Sequence, residues 1–231
     1  MTTRSPLHGA TLVDLSHAIE HGVVYYKGLP APVICDYLSR EDSRARYEPG
    51  TEFHIGRVEL ITNTGTYIDC PFHRYADGRD TASMPLERFV DQPALVVRAT
   101  AREARAIDAA QLSAQLSASD VRGKAVLVHT GWDTLWGSDA YFEGHPYLTE
   151  QAAVWLRDAG AVLVGIDSFN IDNTDGGTRP VHTVLLREEI LIAEHLCNLQ
   201  QLPSAGFTFT AVPPKLVEVG TFPVRAFATV R

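Results

Sequence analysis

Two short, unbroken apolar runs constrain the fold most: KAVLVHTG (124–131) and AVLVGID (161–167). Each has strand length, sits next to glycine, and lacks the polar alternation of a half-exposed strand. That is the pattern of a buried strand. Between them, LTEQAAVWLRDAG (148–160) carries apolar residues at helical spacing, with Thr149 placed to cap its start and Gly160 to close its end. Strands alternating with helices in this way predict an α/β fold, with part of the sheet covered by helices.

The rest of the chain extends the pattern. Thr11–Leu15, Arg57–Thr62, ALVVRA (94–99), TFTAVP (208–213) and PVRAFATV (223–230) read as further strands, and IDAAQLSAQLSA (107–118) as a helix. YYKGLPAP (25–32) is a loop punctuated by Gly and Pro, and DYLSREDSRARYEPG (36–50) is an excursion over the surface. VLLREEILIAEHL (184–196) is apolar and of mixed character. No repeat or low-complexity linker divides the chain, so one domain over residues 1–231 with a mixed sheet is the simplest organisation.

Bulk properties exclude several functions. At 231 residues and 45% hydrophobic content there is material for one sizeable core. The net charge of −8, with no basic patch interleaved with aromatics, argues against a nucleic-acid partner. No run approaches the roughly 18 apolar residues of a membrane span, and the first residues lack the apolar centre of a signal peptide. Cys35, Cys70 and Cys197 are far apart and form no CxxC pair, which fits a reducing, cytoplasmic setting. Neither GxGxxG nor GxxxxGK[ST] occurs, so the usual nucleotide sites have no support.

Chemistry concentrates in NTGTYIDCPFH (63–73). Asp69 and His73 are four apart, but Gly65 and Pro71 argue against a helix through the segment, so loop geometry must bring them together. Taken singly, each is more often a capping or hydrogen-bonded residue than a functional one. Cys70 reads as a small buried hydrophobe. His182 precedes the apolar run 184–196. Glu194 stands within LIAEHL, where a buried acid needs a partner. Asp167 ends a strand beside Ser168, Asn170, Asp172, Asn173 and Asp175, a polar loop suited to line a site or to cap and turn. His145 reads equally as a cleft residue or a structural one, and His129 as a sheet residue.

These segments in order resemble the cyclase family of bacterial kynurenine formamidase- and isatin hydrolase-like proteins. The resemblance rests on TLVDLSHAI with YYKGLPAP, TGTYIDCPFH, VLVHTGW, LTEQAAVWL, VGIDS, HTVLL with AEHLCNL, and PVRAFA. It implies a single α/β domain around a mixed sheet, association into homo-oligomers, and hydrolysis of amide or cyclic amide bonds with a divalent metal, Zn or Mn. The family signature is HxGTHxDxPxH, whose two leading histidines and Asp bind metal and whose last His transfers protons. A later His and Glu complete the site or a second metal position.

In this chain Asn63 and Tyr67 stand at the two leading histidine positions, while Asp69, Pro71, His73, His182 and Glu194 match. An amide oxygen is a weak neutral ligand, and tyrosine coordinates well only as phenolate. Two readings follow. In one, Asp69, His182 and Glu194 hold one divalent metal, His73 moves the proton, and Tyr67 and Asn63 position a small amide, formamide or lactone-like substrate. In the other, no metal binds, and Tyr67 and His73 act as an acid–base pair in a cyclase, isomerase or lyase, with Asn63 donating to a carbonyl. A ligand-binding relative without catalysis is the third reading. Tyr25, Tyr26, Phe72 and Trp132 are expected to flank an aromatic substrate.

Overall fold

The computed structural model describes residues 2–4, 9–100 and 104–231. The first elements are β1 (Thr2–Arg4), β2 (Thr11–Asp14), β3 (Val33–Leu38), α1 (Arg40–Ser43), β4 (Ile55–Glu59), β5 (Tyr67–Asp69) and β6 (Gln92–Arg98). Then come β7 (Ala106–Ile107), α2 (Ala109–Ser113), α3 (Ala118–Val121), β8 (Ala125–His129), β9 (Tyr147–Leu148), α4 (Glu150–Ala159) and β10 (Leu163–Ile166). The last are α5 (Pro180–Arg187), β11 (Leu191–Glu194), β12 (Phe207–Thr210), β13 (Thr221–Pro223) and β14 (Phe227–Val230).

Ten strands form one mixed sheet in the order β1-β2-β14-β12-β6-β8-β10-β11-β5-β13. The four central strands β6, β8, β10 and β11 run parallel, and the strands outside them pair antiparallel. Alternating residues feed two cores. Ala94, Val96, Ala125 and Leu127 enter one, while Leu95, Val97, Val126 and Val128 enter the other. The second core is closed by α4 (Ala152, Ala153, Leu156) and α5 (Val181, Leu185, Leu186), so helices cover one face of the parallel strands. The first core joins Val13 and Ala228, near one end of the strand order, to Ile68 and Val224, at the other, so the sheet curls on itself.

Local signals explain most elements. Thr149 accepts from the Ala152 amide, and Gly160, at φ 83°, ends α4 in the left-handed conformation that glycine adopts without penalty. The single helix expected over 107–118 is two short ones, because Ser117 starts a second capping box after Asp108 has started the first. The strand expected at 57–62 lies at Ile55–Glu59 and pairs with β3 in a hairpin. The hairpin carries the beginning of the 36–50 excursion and leaves Tyr37, Ile55 and Val58 exposed. The mixed stretch 184–196 resolves into the end of α5 and the buried strand β11. PVRAFATV is broken, with β13 ending at Pro223 and β14 starting at Phe227.

One glycine fixes the site's closest packing. A Cβ on Gly220 would lie 2.2 Å from the His73 amide nitrogen, so only glycine lets the chain entering β13 lie against the turn that carries His73. The Gly220 carbonyl accepts from the Cys70 amide across the same contact, at 2.7 Å. Among the described residues no helix is long and apolar enough to cross a membrane.

Candidate active site

Three neighbouring strands present side chains to one cavity. In β5, Tyr67 and Asp69 share a face while Ile68 points into the core. Antiparallel pairing sets Glu194 of β11 opposite Tyr67, and Thr221 of β13 opposite Asp69. His73 follows on the short 3-10 turn Pro71–His73, and His182 projects from the first turns of α5. The cavity, about 210 Å³, is lined by Asn63, Tyr67, His73, His182 and Glu194, with Tyr26, Leu29, Arg74, Asn170 and Arg179 around them.

Asp69 is fully buried. Its Oδ1 accepts from the Thr221 hydroxyl at 2.5 Å, while Oδ2 has no hydrogen-bond partner. Burial opposes a charge there, yet His73, His182 and the Thr221 hydroxyl together hold the carboxyl below the usual range. The Thr221 oxygen also lies 2.6 Å from His73 Nδ1. A hydroxyl has one proton, and here it goes to the carboxylate. Thr221 therefore accepts from Nδ1–H, and a neutral His73 keeps its lone pair on Nε2.

His182 is oriented from behind. Its Nδ1 lies 2.6 Å from Asp172 Oδ2. The same carboxylate accepts from the Val181 and His182 amides at 2.8 and 3.0 Å, capping the start of α5. His182 Nε2 is left facing Asp69 Oδ2 at 3.7 Å and Glu194 Oε2 at 4.0 Å. Burial works against a charged imidazole, but Asp172, Asp69 and Glu194 outweigh it and push the pKa up to about 10.

Glu194 accepts from the Tyr67 hydroxyl and from the Ile171 amide, each at 2.5 Å. Burial raises its carboxyl to about 7 against the pull of His182. Burial and the neighbouring carboxylates keep Tyr67 protonated, well above the normal phenol range, so it is a donor rather than a phenolate ligand. Its one proton is committed to Glu194, so Tyr67 orients that carboxylate.

The unpartnered Asp69 Oδ2 tests whether a cation fits. Metal bonds of 2.0–2.2 Å place ligand atoms about 3.4 Å apart in a tetrahedron. The gaps of 3.7 and 4.0 Å around His182 Nε2 are too long for hydrogen bonds and close to that spacing. Glu194 Oε2 has a second lone pair beside the one Tyr67 uses. His182 Nε2 thus stands at near-ligand spacing from an oxygen of each carboxylate, Asp69 and Glu194. The group whose ligand atoms all lie within 4.8 Å of one another is Asp69, His73 and His182, with His73 in the place expected for Glu194.

The chain's similarities accord with this arrangement. The family pattern described as Cyclase, a putative cyclase, matches residues 13–173, well over half of the chain. The chain belongs to the cyclase family. A kynurenine formamidase of Geobacillus thermodenitrificans is 30% identical over 175 residues, covering 75% of this chain and 78% of that protein. One of Salinibacter ruber is 28% identical over 216 residues, covering 93% and 95%. The fold matches isatin hydrolase A of Ralstonia solanacearum with a TM-score of 0.82 at 23% identity, over 96% of this chain and 92% of that one.

Within this cyclase-family chain, all six residues singled out from sequence, Asn63, Tyr67, Asp69, His73, His182 and Glu194, lie at one place. Of the four aromatics expected beside a substrate, only Tyr26 lines the cavity. Tyr25 is buried against Trp136, and the Trp132 indole donates to the Tyr141 carbonyl. His145 is buried and bonded to the Asp172 carbonyl, and Asp167 accepts from the Thr130 amide and hydroxyl and the Gly131 amide, so both support loops. His129 is a buried sheet residue bonded to Arg98, as its setting in VLVHT indicates. Sequence reading missed Thr221 as a site residue. Its signal was slight, a hydroxyl in GTFPVR next to a recognised segment. Asp172 stood unassigned in a polar loop.

Proposed function

We propose that the chain hydrolyses a small amide, converting amide and water to a carboxylic acid and an amine, with His73 as the proton-transfer group. The observation that carries this is the Asp69–Thr221–His73 relay, which leaves His73 Nε2 as a base at the cavity wall. The formamidase relatives give the reaction class. His73 Nε2 takes a proton from the attacking water and returns it to the leaving nitrogen. Asn63 is the side-chain amide placed to donate to the carbonyl oxygen as it gains charge.

Asp69, His182 and Glu194 are the residues that would hold a divalent cation, which would supply carbonyl polarisation and a more acidic water. Asp172 and Tyr67 fix the orientation of two of these ligands from outside. A cation drawn instead to Asp69, His73 and His182 would remove His73 from proton transfer. Formanilide is a suitable first substrate. We expect release of formate and aniline, loss of turnover after chelation, and recovery with Zn or Mn. Full turnover in chelated, metal-free protein would leave the acid–base reading without metal.

Thr221 supplies a sharper test. Thr221→Val removes the hydroxyl at nearly constant shape and is expected to lower kcat about 10–100-fold with little change in KM, while Thr221→Ser retains most of it. Nitrogen NMR of the His73 ring should show the Nδ1–H tautomer in the wild type and its loss in the valine variant. An unchanged tautomer would remove Thr221 from the mechanism.

A further inference from the structure

The hairpin of β3 and β4 stands apart from both cores. Every residue of its two strands except Leu38 is exposed. Two strands without a third, or a helix to cover them, are marginal in water. Most of the large hydrophobic side chains exposed among the described residues also lie on this arm, between Val24 and Ile61. The two edges of the hairpin differ. The Ile34 amide donates to His21 Nδ1 at 3.1 Å, so it points away from β4. Ile34 pairs with Val58, which makes theirs a non-hydrogen-bonded pair. The Val58 N–H and C=O therefore point away from β3, and by alternation so do those of Gly56. On β3 the outer edge is taken at Ile34 and broken by the register shift between Asp36 and Leu38. On β4 the outer edge has no partner strand, and IGRVE holds no proline to block one.

We propose that β4 pairs antiparallel with β4 of a second copy of this chain, about a two-fold axis at Val58, so that two hairpins join into one four-stranded sheet. Val58 then exchanges both backbone hydrogen bonds with Val58 of the other copy. Arg57 faces Glu59 of the other copy, and by symmetry this happens twice, at the non-hydrogen-bonded positions where side chains come closest. Continued past the strand end, the same register sets Ile55 opposite Ile61. Paired residues share a face, so Ile34 and Val58 of both copies form one apolar row across the sheet. Slipped registers lose this. An axis at Arg57 sets arginine against arginine, and an axis at Glu59 sets glutamate against glutamate. The arm from 33 to 61 is of the size, roughly 20–30 residues a side, that a standard interface uses. It leaves and rejoins the body between Leu29 and Asn63, which line the cavity, so the second copy would be seated near the cavity rim.

Charge exchange with sedimentation equilibrium tests the interface, whatever the reaction is. The wild type should associate. Arg57→Glu puts two glutamates on each β4, and Glu59→Arg two arginines, so each variant alone meets its own sign and should raise the dimer Kd about tenfold or more. Mixed in equal amounts, the two variants meet opposite charges and should associate again, as should the chain carrying both exchanges. Circular dichroism on each variant checks that it is folded. In a Cys35→Ser background, Val58→Cys should form a disulfide between chains on mild oxidation, because residues facing each other at the axis lie about 5.5 Å apart. Leu86→Cys, exposed elsewhere on the surface, should not. A wild type that stays monomeric would leave the edge to a different protein and overturn the proposal. Single variants that keep the wild-type Kd, or a mixture no tighter than its components, would overturn it as well.

Discussion

Replacing His73 by alanine leaves the purified protein folded and lowers turnover by roughly 10²–10⁴-fold. The fold tolerates the change because the imidazole is partly exposed and its side chain makes a single hydrogen bond, to Thr221. The neighbouring Gly220 contact is with His73 backbone and survives truncation. Turnover suffers because, among the described residues lining the cavity, no other side chain offers a free basic nitrogen. Tyr67 has spent its proton on Glu194, and the His182 ring is held by Asp172. Steady-state kinetics with formanilide, a thermal melt and metal analysis on the same sample check the result. Near-wild-type turnover would dismiss His73 as the base. Loss of bound metal together with turnover would assign it as a ligand instead.

Asp69→Asn removes the cation site while keeping the side-chain shape. Metal affinity is expected to fall at least about 100-fold, and turnover with it. Asp69 belongs, with His182, to both ligand sets, and its Oδ2 is a buried oxygen without a hydrogen-bond partner among the described residues. An amide nitrogen or neutral oxygen there cannot replace an anionic donor. The Thr221 hydroxyl still has an oxygen to meet, so the relay to His73 need not collapse. Elemental analysis after dialysis, with equilibrium metal titration, measures the change. Stoichiometric metal in the asparagine variant would place the ion elsewhere.

The parts of the molecule that were legible beforehand depend on near neighbours. Thr149 and Gly160 define α4 because a cap and a left-handed stop act within one turn. The buried strands β8 and β10 are legible because both faces are apolar. The 107–118 stretch misleads because apolar spacing alone does not register Ser117 as a new helix start. In the site, Asp69 and His73 stand out by motif, whereas Thr221 is 152 and 148 residues away from them and becomes visible only when β13 pairs with β5. The aromatic expectation fails for a related reason. Closeness in sequence to a motif says little about which way a ring points, and Trp132 points toward Tyr141.

The pairing of β5 with β11 and β13 has a consequence for how such a protein can change. Tyr67, Asp69, Glu194 and Thr221 keep their spacing because backbone ladders set it, and a slip of one residue would turn that strand's share of them to the opposite face. Tyr26, Leu29, Asn170 and Arg179 line the same cavity from segments outside strands and helices, where insertions and exchanges are better tolerated. Chemistry and recognition thus sit on separate mechanical supports. Substrate preference can drift, or be redesigned, by loop substitution alone, while the reacting groups stay in register.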